Sequence, residues 1–174
     1  MATANARILA NYKGHKIVVF KKEHSYEKNI LLATEKGTTI AGGSVSCFAL
    51  DCLIQMGCNP IIMIGQDCAF TGGRTYSRLA QSENKLILSM GPAYTLAKAH
   101  GDKTHTKKQV SVPCYFAGQT LTDQVLYGYL RNIEQIAQAN PETQIYNLFP
   151  HGARIDQVTP LSSINEILKV LQLK

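Results

Sequence analysis

Three stretches of this chain gather residue types that handle phosphates and hydroxyls. In the first, Gly65-Gln66-Asp67 leaves an apolar run, and Gly72-Gly73-Arg74-Thr75-Tyr76 follows four residues later. An amide, a carboxylate, a guanidinium and two hydroxyls within twelve positions suit a polar ligand better than they suit packing. Asp67 is the candidate catalytic or ligand-binding carboxylate: it can hold a hydroxyl, a base edge or a metal ion. Its structural alternative is to tie down its own loop by accepting backbone N–H bonds. In the second stretch, Gly42-Gly43-Ser44 runs into an apolar-periodic segment. Glycines allow close backbone approach, and unpaired amides at a helix start attract phosphate, although the same residues also make ordinary caps. The third stretch, Phe149-Pro150-His151-Gly152-Ala153-Arg154, offers His151 and Arg154 to an anion. Asp123 reads as a dipole partner near a helix start rather than a catalyst. No confident metal site emerges. The five cysteines (Cys47, Cys52, Cys58, Cys68, Cys114) contain no Cys-x-x-Cys pair, and neither His100 nor His105 has zinc-type spacing to any of them.

These loops need a frame. Residues 44–56 place Val45, Phe48, Ala49, Cys52, Leu53 and Met56 at spacings of three and four, which predicts a helix with that stripe inward, capped by Ser44 or Ser46 and stopped by Gly57. Asn59-Pro60 turns the chain into Ile61-Ile62-Met63-Ile64, four apolar residues that predict a strand covered on both faces. Shorter strands are expected at residues 16–20, near Ile40, at 85–90, at 109–116 (on an edge, because of Pro113) and at 144–148. A helix over residues 122–138 would bury Val125, Leu126, Tyr129, Leu130, Ile133, Ile136 and Ala137. A final helix opening at Thr159-Pro160 would bury Ile164, Ile167, Leu168 and Leu171, with Ser163 and Glu166 at capping-box spacing. Residues 3–12 read as a short helix. Strands alternating with helices predict an α/β fold, three-layer and Rossmann-like, with a mostly parallel sheet and an antiparallel strand at an edge. In such sheets ligands gather beyond the carboxyl ends of the strands, where the Gly42-Gly43-Ser44 and Gly65–Tyr76 stretches are expected to lie, with the third stretch, after the strand near residue 146, expected to close the same pocket.

The 174 residues, 45% hydrophobic and 17% charged, fit one globular domain over residues 1–174. No apolar run reaches membrane-span length and no signal-peptide pattern opens the chain, so a cytoplasmic protein is expected. The net charge of +6 is dispersed, and its densest part, residues 103–108, reads as a solvated loop. Without aromatic interleaving it argues for a small anionic ligand such as a nucleotide and against nucleic acid.

The run Gly42-Gly43-Ser44-Val45, the helix after it, Ile64-Gly65-Gln66-Asp67 and Thr71-Gly72-Gly73-Arg74-Thr75 resemble a bacterial and archaeal family with two branches. One comprises motility accessory factors, glycosyltransferases that modify flagellin; the other comprises 6-hydroxymethylpterin diphosphokinases of the archaeal type. Tyr146-Asn147-Leu148, Gly152-Ala153-Arg154-Ile155 and Thr159-Pro160 resemble the family's closing segment, so the resemblance spans about residues 38–170. The family is in turn similar to bacterial sialyltransferases that use CMP-sialic acid, with Gly65 and Asp67 at the positions of their Gly-x-Asp loop and Tyr76 or Thr75 nearest their phosphate-binding hydroxyls. Two departures stand out. Gly118-Gln119 occupies the place of the sialyltransferase catalytic histidine. Only Gly14 precedes residue 37, where such proteins carry a strand and a Gly-x-Gly-Pro-Ser type loop, so the chain is expected to lack the family's N-terminal glycine-rich part.

The resemblance implies a nucleotide-sugar-dependent glycosyltransferase-like domain, with a nucleotide or nucleotide-sugar as ligand, flagellin as acceptor and a homo-oligomer as its assembly. The alternative it implies is a diphosphokinase that moves pyrophosphate from ATP, with Mg2+ held through Asp67. A further alternative is a non-catalytic module that binds a ligand or a partner chain.

Overall fold

The computed structural model describes residues 10–16, 20–21, 38–40, 42–71, 108–115, 118–148 and 151–172. They form an α/β fold whose strand pairs are mostly parallel. The chain divides into two compact units, Met1–Cys58 and Asn59–Lys174.

In the first unit, β1 (Phe20–Lys21) pairs in parallel with β2 (Thr38–Thr39), and α1 (Val45–Gln55) follows. Ser44 caps α1 by accepting from Ser46 N at 3.2 Å. The helix ends where Gly57 takes a positive φ of 76°, with Gly57 N donating to Ile54 O and Cys58 N to Leu53 O. That pair of bonds is a Schellman ending, which the glycine at that position permits. The buried face of α1 is not the predicted stripe. Cys47, Leu50 and Asp51 are buried, while Val45, Leu53 and Met56 are exposed. The cause is Asp51, whose Oδ2 accepts from Thr39 Oγ1 at 2.5 Å, Ile40 N at 2.8 Å and Gln55 Nε2 at 2.7 Å. A carboxylate holding three donors ties α1 to β2 and rotates that face inward, because leaving it buried without partners would cost several kcal/mol, on the order of a lost charged hydrogen bond or more. Cys47 is a buried filler, as expected; its burial pushes the thiol above its ordinary pKa, opposed by the hydroxyl of Ser44 and its own backbone amide.

In the second unit, β3 (Ile61–Ile64), β6 (Ile145–Leu148) and β7 (Thr159–Leu161) form a parallel sheet in the order β3-β6-β7. Asn59 fastens its entrance, donating to Glu142 O and accepting from Gln144 N, both at 3.0 Å. β4 (Gln109–Pro113) and β5 (Gln119–Asp123) make a separate antiparallel hairpin, so the antiparallel component is a ribbon of its own rather than an added edge strand. The helix α2 (Gln124–Ala139) follows β5 directly, and the chain continues after β7 to α3 (Ile164–Val170).

Several expectations change here. Residues 119–123 are a strand, not the approach to a helix, and α2 begins only after Asp123, which caps it by accepting from Leu126 N at 2.7 Å. Asp123 thus serves the helix terminus as predicted. Thr159 and Pro160 lie in β7; Pro160 lacks an N–H, which an edge strand tolerates. The Ser163–Glu166 pair does cap α3: Ser163 Oγ accepts from Glu166 N, and Glu166 Oε2 accepts from Ser162 N at 2.7 Å. On β3 only Ile61 and Met63 are buried and Ile64 is exposed, so that strand is covered mainly on one face. α2 buries Leu130, Ile133, Ile136 and Ala137 but leaves Val125 in solvent, and no residue of α3 is fully buried, Ile164, Leu168 and Leu171 being exposed. The strands expected near 16–20 and at 85–90, the helix over 3–12 and the basic stretch 103–107 fall wholly or largely outside the described residues.

Candidate functional site at the carboxyl edge of the sheet

Two loops lie past the carboxyl ends of adjacent parallel strands, residues 65–71 after β3 and residues 151–158 after β6. Gly65 turns out of β3 with a φ of 73°, a conformation that favours glycine. The next three carbonyls are then each taken by a different part of the second unit. Gln66 O accepts from Asn147 Nδ2 at 3.1 Å, Asp67 O from Ala153 N at 2.8 Å, and Cys68 O from Thr122 Oγ1 at 2.8 Å. Phe70 N adds a fourth tie, to Leu121 O at 2.9 Å. Cys68 sits at a φ of 48°, unusual for a residue with a side chain. Strained backbone of this kind persists only where its surroundings over-determine it, and these ties do so.

The second loop is held through its amides. Four consecutive N–H groups go to three separate segments: Ala153 to Asp67 O at 2.8 Å, Arg154 to Pro113 O at 2.8 Å and Ile155 to the Tyr115 hydroxyl at 3.1 Å in the same stretch, and Asp156 to Glu134 Oε1 at 3.0 Å. Glu134 is buried and also pairs with Arg131 at 2.6 Å, so α2 is fixed to this loop by a charged group. The Tyr115 phenol is pushed above its ordinary pKa by burial, with the Ile155 amide and the Asn147 side chain pulling the other way.

The two loops meet at Gly152. A Cβ there would overlap Asp67 O and lie 2.6 Å from both its C and its Cα. Only a residue without a side chain fits against that peptide. The first and third candidate stretches are therefore in direct contact, Asp67 against Gly152 and Ala153, with Thr71 Oγ1 also reaching His151 O at 3.5 Å.

The side chains divide differently from the backbone. Asp67 does not fasten its loop with its carboxylate; its carbonyl does that work. Among the described residues neither the Asp67 carboxylate nor the Gln66 amide makes a hydrogen bond or ion pair. Arg154 is exposed and paired with Asp156 at 3.3 Å, and His151 is exposed. Gly72, Gly73, Arg74, Thr75 and Tyr76 lie outside the described residues. In the first unit, Gly42 and Gly43 both have positive φ, 52° and 71°, immediately before the Ser44 cap of α1. Among the described residues no group of three His, Cys, Asp or Glu could hold a metal ion. Gly118 and Gln119, at the place of the sialyltransferase histidine, are structural: Gly118 turns at a φ of 86° into β5, and Gln119 Oε1 accepts from Ser111 Oγ at 3.2 Å. Sequence reading missed Asn147, Thr122, Tyr115 and Glu134. A polar residue in the middle of a short apolar strand, as Asn147 is, was the available signal.

Fold and loops together define an α/β arrangement that presents, at the carboxyl edge of a parallel sheet, an amide and a carboxylate with no bonding partner among the described residues. Residues 2–73 match the family model described as 6-hydroxymethylpterin diphosphokinase MptE-like, which supports the family resemblance drawn from the sequence. The match begins well before residue 38 and ends at Gly73, so the closing segment around residues 146–160 lies beyond it. No curated protein and no solved structure matches the chain, and the similarity to sialyltransferases finds no support in these comparisons. Among the described residues no helix is long and apolar enough to cross a membrane.

Proposed function

We propose that this chain is a nucleotide-binding, glycosyltransferase-like domain of the motility accessory type, and that a nucleotide-activated sugar binds over the carboxyl edge of β3 and β6. The observation that carries this reading is the Asp67 carboxylate: it lies on a loop whose backbone is fastened at every turn, while it has no bonding partner among the described residues. A fold that fixes a carboxylate without using it leaves it pre-organised for a ligand. Asp67 accepts a hydrogen bond from a ribose or sugar hydroxyl, a charge-assisted contact, and Gln66 contributes an amide beside it. Gly65 gives the ligand close access to the backbone. Arg74, with the hydroxyls of Thr75 and Tyr76 that follow Gly72-Gly73 in the sequence, stabilises charge on the departing phosphate. His151 and Arg154 border the same edge. Separately, the Gly42-Gly43-Ser44 amides at the start of α1 suit a phosphate. Flagellin is the acceptor that the family resemblance suggests, and a cytoplasmic homo-oligomer the assembly.

Calorimetry with CMP, CDP and UDP tests the reading. At least one binds, and Asp67→Asn weakens it about tenfold or more, the loss of a charged hydrogen bond of about 1.5–3 kcal/mol, while leaving the melting midpoint unchanged. A folded protein that binds none of the three refutes it.

A second reading is favoured by the description of the matched family: pyrophosphoryl transfer from ATP to a pterin alcohol. Mg2+ binds in such reactions through one or two carboxylates together with substrate phosphates, a demand Asp67 meets as one ligand. AMP formation from ATP and 6-hydroxymethylpterin, abolished by Asp67→Asn, would establish it. Binding of nucleotide with turnover in neither assay would leave a non-catalytic binding module.

A further inference from the structure

We propose that Asn147 is the positioning residue of this site, holding Asp67 at its working orientation through the Gln66 carbonyl; the proposal rests on the reading that Asp67 contacts the ligand. Asn147 lies on β6, between Met63 of β3 and Pro160 of β7 in register, and it is 1% exposed. Its strand neighbours Ile145 and Leu148 are buried and apolar. Asparagine is depleted in strands, and a buried amide is costly unless its polar atoms are bonded. Here only half of it is: Nδ2 donates to Gln66 O at 3.1 Å, while Oδ1 is buried and accepts no hydrogen bond. An aliphatic side chain would serve the sheet better, so packing does not account for the residue. Its amide instead meets the peptide that precedes Asp67 and, beside it, the Tyr115 hydroxyl.

That contact is not duplicated. Of the three carbonyl ties, those at Asp67 and Cys68 lie on or after the carboxylate-bearing residue, and only Asn147 fixes the chain on the strand side, where Gly65 gives it freedom to pivot. Without the Asn147 amide, residues 65–66 become a hinge and Asp67 samples orientations away from the ligand.

The experiment compares the full-length protein with Asn147→Leu, with Asn147→Ala as a second variant should leucine not fit, and with Ile145→Val as a control that trims the same strand at a buried position. Backbone 15N relaxation is measured at Gln66 and Asp67, and calorimetry uses whichever of CMP, CDP, UDP or ATP binds the wild type. In the Asn147 variants the order parameters of residues 66 and 67 fall from the rigid range, about 0.85, to below about 0.6, the rest of the sheet keeps its values, and affinity drops at least tenfold. Ile145→Val leaves the loop rigid and affinity within about twofold, although it too loosens the core. Order parameters unchanged at 66–67 in a folded Asn147 variant overturn the proposal, as does a loosened loop with undiminished affinity. If the wild type binds none of these nucleotides, the functional reading falls, and the relaxation comparison alone then decides whether Asn147 positions Asp67.

Discussion

Replacing Gly152 with alanine tests the junction of the two loops most directly. The added methyl would overlap Asp67 O and lie 2.6 Å from Asp67 C and Cα, all backbone atoms with no rotamer by which to escape. Either the loop after β3 or the loop after β6 must shift by about an ångström or more to restore ordinary contact distances. Forcing a methyl into a closed contact costs about 1–3 kcal/mol. The shift also lengthens the Ala153 N–H bond to Asp67 O, now 2.8 Å, adding about 1 kcal/mol. The sum is about 2–4 kcal/mol, which for a chain of this size lowers the melting midpoint by roughly 5–15 °C. Urea denaturation followed by circular dichroism gives the free energy, and thermal melts give the midpoint. The same variant weakens nucleotide binding, because the peptide that moves is the one that carries Asp67. A Gly152→Ala protein within about 0.5 kcal/mol of wild type would refute the close packing of the loops and, with it, the argument that Asp67 is held in place.

Two further outcomes follow from other parts of the molecule. Gly128 lies inside α2 with open space where a Cβ would go, so Gly128→Ala raises stability by about 0.5–1 kcal/mol through helix propensity, and a loss of stability in the same urea titration would show that something covers that face. The raised pKa of Tyr115 means that the folded state keeps the phenol protonated after the unfolded chain has begun to ionise. The unfolded state then binds fewer protons than the native state, so this group's contribution is complete below the ordinary tyrosine pKa and is lost as pH rises above it. Tyr115→Phe removes that alkaline decline but costs about 1–3 kcal/mol at neutral pH by leaving the Ile155 amide without its acceptor, and a wild-type stability curve flat through pH 11 would contradict the sign.

The sequence shows elements defined by local chemistry better than it shows faces defined by distant partners. Ser44, Gly57, Asp123 and the Ser163–Glu166 pair act on backbone groups within a few residues, and each caps or stops a helix as its type and position predict. Strand β5 was not legible, because Gln-Thr-Leu-Thr-Asp carries one apolar residue, Leu121, and that one is exposed. Its strand character comes from pairing with β4, and so from tertiary structure. The face of α1 was misread for a related reason. Asp51 enters the interior by way of Thr39 and Ile40, twelve and eleven residues earlier, and apolar periodicity assigns no inward role to a carboxylate. At the site, Gly65 and Asp67 were visible because a polar cluster directly after an apolar strand is unusual. Their supports were harder to see: Ala153 and Thr122 act on carbonyl groups, which carry no sequence signal, and of the three only Asn147, a polar residue inside an apolar strand, gave one.

The tie between Asn147 and Gln66 joins positions 81 apart. During synthesis the Asp67 loop therefore leaves the ribosome long before any of its three anchors exists, and it waits as an unfastened turn at the end of β3. The anchors arrive in chain order, Thr122 first, then Asn147, then Ala153, so the carboxylate is the first part of the site to be made and the last to be set. A nascent chain stalled before Ala153 has the complete Gly65-Gln66-Asp67 sequence without the bond that closes the loops. Under the proposed function, ligand binding at this edge would be a late event in the life of the polypeptide, and a labelled nucleotide would report the joining of the two loops rather than formation of β3.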